Sequence, residues 1–431
     1  MVADCLTPVR ISAMALQGPF AVIADSPAPD VVAALRAAGG FPVIEASWSD
    51  APAALAAVEP EALILAEPCA ERARVAALAD MLAARRGGLY TPVLARSRDD
   101  GAPFMAAALA IAASAPAERL IRRLATALRL RTLHGTVLRR LRTLASRGEE
   151  LPALATSDPL DEATVLVAGR GRSYPALSVA VGERVAVIGA LSVESAARAL
   201  NARDIDGVVI GEGFGPRLVE ALLTVLAEDV RFRDLPVAVL GGPPLLIEPF
   251  AVELANLERT AEGPERLVER LLPYVRAHAF GQRLKRMLKS LDARGMIDPD
   301  SGLLAHDAFW RDLNRAVGDA EKRGVGLSIA RFAFEGGDRR LSLDAARLVG
   351  RLMRDVDFAC READNSIFAV FTETDLRAAH VVARRIASVL KHTMLAPDRR
   401  RSGIEAAVTL ATLKATDNVD SLIARVIGAP G

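Results

Sequence analysis

The chain has 431 residues, 51% hydrophobic and 25% charged, with 54 Lys and Arg against 53 Asp and Glu. This composition excludes a disordered chain, leaves room for two to four domains, and gives a net charge of only +1, too small to attract nucleic acid by itself. There is no apolar run of the roughly 18 residues that a membrane span needs, and no signal-peptide pattern at the N-terminus. Cys5, Cys69 and Cys360 lie far apart, in no metal-ligand spacing, as suits a reducing compartment. The expectation is a cytoplasmic protein, and its high Ala, Arg and Leu content suits a GC-rich bacterial source.

Residues 19 to 130 alternate short apolar runs with amphipathic helical patterns. Phe20 to Ala24, Pro42 to Glu45, Ala62 to Ala66, Thr91 to Ala95 and the poorer Ala107 to Ala113 read as strands. Pro29 to Ala38 reads as a helix stopped by Gly39-Gly40. Strands separated by helices predict a doubly wound parallel sheet. The order and spacing resemble a two-component receiver domain. That resemblance implies acidic residues after the first strand and a phosphoryl-accepting aspartate at the end of the third. It also implies a hydroxyl residue and a lysine on the fourth and fifth. Asp25 follows the first strand, but the third ends in Ala66 beside Glu67, the fourth ends in Ala95, and Ala115-Pro116 stands in place of Lys-Pro. Without a carboxylate nucleophile no aspartyl phosphate forms.

From Ala117 to Leu144 the pattern is helical and basic. Leu120, Leu124, Leu128, Leu130, Leu133, Val137, Leu141 and Leu144 form an apolar stripe able to pair with another helix. Arg119, Arg122, Arg123, Arg129, Arg131, Arg139, Arg140 and Arg142 line the other faces. They read either as a solvated face linking two domains, or as a dimer helix or docking surface for an acidic partner. Residues 146 to 160, rich in Gly, Pro, Ser and Asp, read as a linker.

A second cycle follows, with strands at Ala163 to Val167, Val185 to Ile188, Gly207 to Ile210 and Leu235 to Leu240, and helices at Glu194 to Arg203, Pro216 to Leu226 and Glu265 to Val275. The two cycles read as an internal repeat, and this one also resembles a receiver. Its first strand is followed by Ala168-Gly169-Arg170, its third ends in Gly211 beside Glu212, and its fourth in Gly241-Gly242. Gly211 to Gly215 lacks the spacing of a phosphate or dinucleotide loop and reads as a tight strand-to-helix turn.

Arg276 to Leu291 reads as a linking helix with an apolar stripe at Leu284, Met287, Leu288 and Leu291. Then come Asp298 to Phe309 and, further on, the stretch Arg354 to Phe371. By residue type the latter is a charged helix end, a polar turn at Asp364, Asn365 and Ser366, and an apolar strand from Ile367. These segments resemble a diguanylate cyclase (GGDEF) domain. Asp298, Gly302, Leu303 and Phe309 match that family's opening segment, while Ala305-His306 replaces its Asn-Arg pair. Arg354 and Asp357 match its Arg-x-x-Asp pair. Ala363, Asp364, Asn365, Ser366, Ile367 and Phe368 stand where its Gly-Gly-(Asp/Glu)-Glu-Phe signature belongs, one residue longer. Ala330 and Phe332 stand at the Asp-x-Asp that supplies metal carboxylates, and Glu335 to Ser342 is shortened. The late strand and last helix of the family resemble Glu405 to Leu410 and Val419 to Val426.

The resemblance implies that catalytic residues and metal ligands are lost, so the expectation is a pseudoenzyme with no catalytic residue, no metal and no cofactor. It also implies an inhibitory-type cyclic di-GMP site at Arg354 and Asp357, with Arg351, Arg384 and Arg385 as further cations. The same i, i+3 pair is equally an ordinary surface salt bridge. The fold class expected is α/β: two doubly wound, flavodoxin-like receiver-type domains followed by an α/β GGDEF-type domain, a layout resembling PleD-type response regulators. The divisions are 1–130 (receiver-like), 131–160 (helical and flexible linker), 161–278 (second receiver-like) and 279–431 (linking helix and GGDEF-like). The function expected is that of a cyclic di-GMP effector or scaffold, with protein partners in a signalling pathway, a homodimeric state, and no nucleic acid or membrane partner. A divergent cyclase making cyclic di-GMP from two GTP and a ligand-free interaction platform are the alternatives.

Overall fold

The structure, a computed structural model, describes residues 16–69, 71–84, 88–97, 108–241, 254–260, 262–334, 339–392 and 405–428. The first unit runs β1 (Phe20–Ile23), α1 (Pro29–Ala37), β2 (Val43–Ala46), α2 (Ala51–Ala57), β3 (Ala62–Leu65), α3 (Arg72–Ala84), β4 (Val93–Ser97) and β5 (Leu109–Ala112). Its strands form a parallel sheet in the order β2-β1-β3-β4-β5. The helix α4 (Ala117–Ala145) follows, and then β6 (Thr164–Ala168), α5 (Tyr174–Gly182), β7 (Ala186–Ala190), α6 (Val193–Ala202), β8 (Gly207–Ile210), α7 (Pro216–Glu228), β9 (Val237–Leu240) and β10 (Leu257–Thr260). This second sheet is also parallel, in the order β7-β6-β8-β9-β10. Both orders read 2-1-3-4-5 within their own unit, the flavodoxin-like doubly wound order. β1, β3, β8 and β9 are buried along their whole length, so their sequences are apolar runs without alternation.

The helix α8 (Pro264–Asp292) leads to the last unit: α9 (His306–Arg323), β11 (Leu327–Phe334), α10 (Arg339–Leu352), β12 (Phe358–Arg361), β13 (Ile367–Thr372), α11 (Leu376–His392), β14 (Ala406–Thr412) and α12 (Val419–Ile427). Its sheet is antiparallel, in the order β12-β13-β11-β14. Among the described residues no helix is long and apolar enough to cross a membrane.

Three expectations need correction. The helices expected at Glu265 to Val275 and at Arg276 to Leu291 are one continuous α8, with Pro273 inside it. A fifth strand of the second unit, β10, is missed because Leu257-Glu258-Arg259-Thr260 carries two charged residues. Arg354 and Asp357 do not share a helix face: α10 ends at Leu352, and the pair sits in a turn closed by the Asp357 amide donating to the Arg354 carbonyl at 3.0 Å.

The apolar stripes of α4 and α8 are covered within the chain. Leu133, Val137 and Leu144 pack with Leu284, Leu288 and Leu291, and with Phe309 and Leu313 of α9. Leu120 and Leu124 pack on the first sheet. Neither stripe needs a second molecule, so this argument for a homodimer falls.

The arginines of α4 are not all solvated either. Arg123, Arg131, Arg139 and Arg140 are buried, because each finds a carboxylate from elsewhere in the chain. Arg123 pairs with Glu258 of β10 and donates to the Ala110 carbonyl (2.8 Å) and the Tyr274 hydroxyl (2.6 Å), joining both parallel sheets to α8. Arg131 reaches Glu61 (2.7 Å) of the first unit. Arg323 of α9 binds the same carboxylate (2.6 Å) and also Glu373 (2.6 Å). Arg139 and Arg140 meet on Asp312 of α9 at 2.9 and 2.7 Å. Buried ionised groups persist only when paired and hydrogen-bonded, so these contacts fix how the units sit on α4.

Candidate functional site

The site builds from the β12–β13 hairpin. Arg361 and Ile367 are the last paired residues, and the Glu362 amide donates to the Ser366 carbonyl at 2.8 Å. Asn365 closes the turn at φ 66°, a left-handed position that asparagine tolerates better than most residues. Asp364 accepts from the Ser366 amide (2.9 Å), the Ser366 hydroxyl (2.6 Å) and Arg331 (2.8 Å). Partial burial works against its charge, but the Ser366 and Arg331 hydrogen bonds hold its carboxyl below the ordinary value. The Asn365 side chain accepts from Arg361 at 2.8 Å, and its carbonyl accepts from Ser342 at 2.8 Å. Ile367 and Phe368 point to opposite faces of the sheet, Ile367 toward α10 and α11 and Phe368 toward α9. The turn is thus a closed polar network of its own.

β11 lies beside this hairpin. Ala330 and Phe332 are fully buried, packed with Ala345, Ala346 and Val349 of α10. Arg331, between them, faces the other way and brings its guanidinium to Asp364 and Ser366. A magnesium ion requires oxygen ligands. Here apolar core and a cation occupy those positions, and among the described residues no cluster of three His, Cys, Asp or Glu could hold a metal ion. Of the shortened Glu335 to Ser342 segment, residues 335–338 lie outside the described residues and 339–342 begin α10. Arg331 is a residue that sequence reasoning passed over, although its flanking core positions mark it as facing outward.

Arg354 and Asp357 do come together. The guanidinium grips the carboxylate with two parallel bonds of 2.9 Å, and also donates to the Thr372 carbonyl and the Thr374 hydroxyl, both at 3.0 Å. Asp357 is only 1% exposed and takes a further bond from the Thr372 amide at 3.1 Å. The Arg354 side chain is 39% exposed. This pair is therefore not a surface salt bridge: the aspartate is buried and both its oxygens accept hydrogen bonds from within the chain. Asp357 locks the turn against β13. Arg385 donates to the Leu352 carbonyl at 3.1 Å, which brings it to the same end of α10. Arg351 and Arg384 are exposed, with no partner among the described residues.

In the first unit Glu67 accepts from the backbone amides of Asp25 and Ser26, and Asp25 accepts from the Trp48 amide at 2.9 Å, so both carboxylates stitch loops together. In the second, a Cβ on Gly211 would lie 2.8 Å from the Cδ1 end of the Leu177 side chain, which would have to shift to admit one. Incubation with acetyl phosphate and magnesium should leave the protein mass unchanged; a hydroxylamine-labile phosphoryl adduct on either unit would contradict this. A separate cavity of about 530 Å³ lies between the first unit, α4 and α9, with Leu89, Leu138, Leu141, Arg142, Lys322 and Glu373 on its walls.

No protein-family model matches the chain. No curated protein matches it either. Among solved structures it is similar to the coiled coil and GGDEF domain of DgcB from Caulobacter crescentus in complex with cyclic di-GMP, at 19% identity over 34% of this chain and 85% of that one, with a TM-score of 0.30. It is similar to the diguanylate cyclase SiaD in complex with its activator SiaC from Pseudomonas aeruginosa, at 15% identity over 34% and 64%, TM-score 0.30. The GGDEF domain of FimX from Pseudomonas aeruginosa matches at 17% identity over 31% and 90%, TM-score 0.28. These neighbours are GGDEF domains, and they cover about a third of the chain.

Proposed function

We propose that this protein is a non-catalytic signalling protein, a scaffold in which two receiver-like units and a cyclase-like unit are held on α4 and act by binding protein partners. The observation that carries this reading is at β11. Ala330 and Phe332 belong to the core, and Arg331 presents a cation where a magnesium-dependent phosphoryl transfer would need carboxylates. The receiver-like units support it in the same way, since Glu67 is committed to backbone amides and Gly211 offers no carboxylate.

A second reading, that the scaffold also takes cyclic di-GMP, is favoured by Arg354, oriented by its two bonds to Asp357, together with the exposed Arg351 on α10 and Arg384 on α11. Guanidinium groups suit phosphate and the Hoogsteen edge of guanine. In this reading Arg354, Arg351, Arg384 and Arg385 touch the ligand, and Asp357 only orients Arg354. The first test is turnover: the purified protein with GTP and magnesium should make no cyclic di-GMP. Steady product above a blank, abolished by substitutions at 364 to 366, would establish the divergent cyclase instead.

A further inference from the structure

The apolar stripes of α4 and α8 are buried inside the chain, yet a different helix carries exposed apolar side chains. α7 buries Val219, Leu222, Leu223 and Leu226 against the second sheet. Along one edge of that buried face, roughly 90–150° round the helix from its centre, Leu218 stands at 42% and Val225 at 59% exposure, with Ala221 exposed between them. Positions 218, 221 and 225 are spaced i, i+3, i+7, one stripe along that edge of the helix. An apolar side chain left in water gains by being covered.

The charges on one flank of this stripe say what covers it. Arg217 at the N-terminal end and Glu228 at the C-terminal end are exposed, and neither has an ion-pair partner among the described residues. By helical geometry they fall within about 20° of each other around the axis. An antiparallel arrangement aligns the same flank of two copies of one helix, so opposite charges at opposite ends become self-complementary, as a two-fold interface requires. With the two-fold axis beside Ala221, Leu218 of one copy lies opposite Val225 of the other. The small side chains of the two Ala221 residues let the helices approach at the crossing. Arg217 then lies within about 3 Å, measured along the axis, of the partner subunit's Glu228, and the pair forms twice.

We propose that this face is a homodimer interface, in which α7 packs antiparallel on α7 of a second copy, with Leu218, Ala221 and Val225 at its centre and Arg217–Glu228 pairs at its ends. The partner is the same chain, because a single pattern supplies both halves of the complementarity. The interface lies on the second unit and needs none of the residues of the β12–β13 site.

Sedimentation velocity of the full chain over a concentration series tests this. The unmodified protein should show a concentration-dependent dimer. Val225→Glu should leave only monomer, with an unchanged circular dichroism spectrum, since the side chain is exposed in the monomer. Arg217→Glu should weaken association about tenfold or more, because it sets like charges opposite each other. Combining Arg217→Glu with Glu228→Arg should restore the dimer. A strict monomer up to the solubility limit, or a dimer indifferent to Val225→Glu, would overturn the proposal. A dimer lost in Arg217→Glu and not regained in the charge swap would overturn the antiparallel arrangement.

Discussion

Replacing Asp312 by alanine should destabilise the protein by about 3–5 kcal/mol, the cost of breaking a buried ion pair from one side. Asp312 is fully buried in α9. It accepts from Arg139 (2.9 Å) and Thr143 (3.3 Å) and pairs with Arg140 (2.7 Å), while both guanidinium groups lie over the Phe358 ring at 5.1 and 5.5 Å. Asp292 also faces Arg140, at 3.3 Å, but one carboxylate cannot balance two buried cations. Asp312→Asn keeps the shape and loses the charge, so it should fall nearly as far. The check is the midpoint of urea unfolding. A loss below about 1 kcal/mol would mean that water reaches these arginines and the cluster behaves as a surface pair. Exchanging Asp312, Arg139 and Arg140 together for apolar residues of similar volume should cost much less than Asp312→Ala alone, since whole buried ion clusters are often replaced at little loss.

Asp312 also shows where the sequence stops being legible. The apolar periodicity of α4 and α8 marks two helices and the alternation of strands and helices marks two parallel sheets, because burial on both faces writes itself into local composition. β1, β3 and β8 are apolar at every position and are read directly. β10 is not, because Glu258 serves a partner on α4, 135 residues away in the chain, and nothing in its neighbourhood announces that partner. The same reason hides Arg123, Arg131, Arg139 and Arg140. On a helical wheel an arginine looks solvated, and only tertiary structure shows which of them meets Glu258, Glu61 or Asp312. At the hairpin the residue types of Asp364, Asn365 and Ser366 announce a turn. The strand beginning at Phe358, by contrast, is masked by charged residues on both sides of it. The Arg354–Asp357 spacing suggests a pair but not its depth, which depends on β13 closing over the aspartate.

That depth makes the pair asymmetric, and the asymmetry is testable. Arg354→Ala should destabilise more than Asp357→Ala. Removing the arginine leaves a carboxylate that is 1% exposed, with only the Thr372 amide and hydroxyl to balance it; this should cost about 3 kcal/mol or more. Removing the aspartate leaves a guanidinium that is 39% exposed and can turn to water, so the main loss is the orphaned Thr372 amide, about 1–3 kcal/mol. Arg354→Lys should fall between, since an ammonium cannot make both bonds of the fork. Equal, negligible losses in both alanine variants would return the pair to the class of surface salt bridges. The ligand reading needs variants that leave this lock intact. If calorimetric titration of the unmodified protein with cyclic di-GMP gives heat, Arg351→Ala and Arg384→Ala should each weaken binding while leaving the unfolding midpoint in place, because neither side chain has a partner to lose among the described residues. Binding indifferent to both would put the ligand elsewhere. No heat at all would leave the interaction scaffold, with Arg354 and Asp357 as the clasp that holds β12 and β13 to the end of α10.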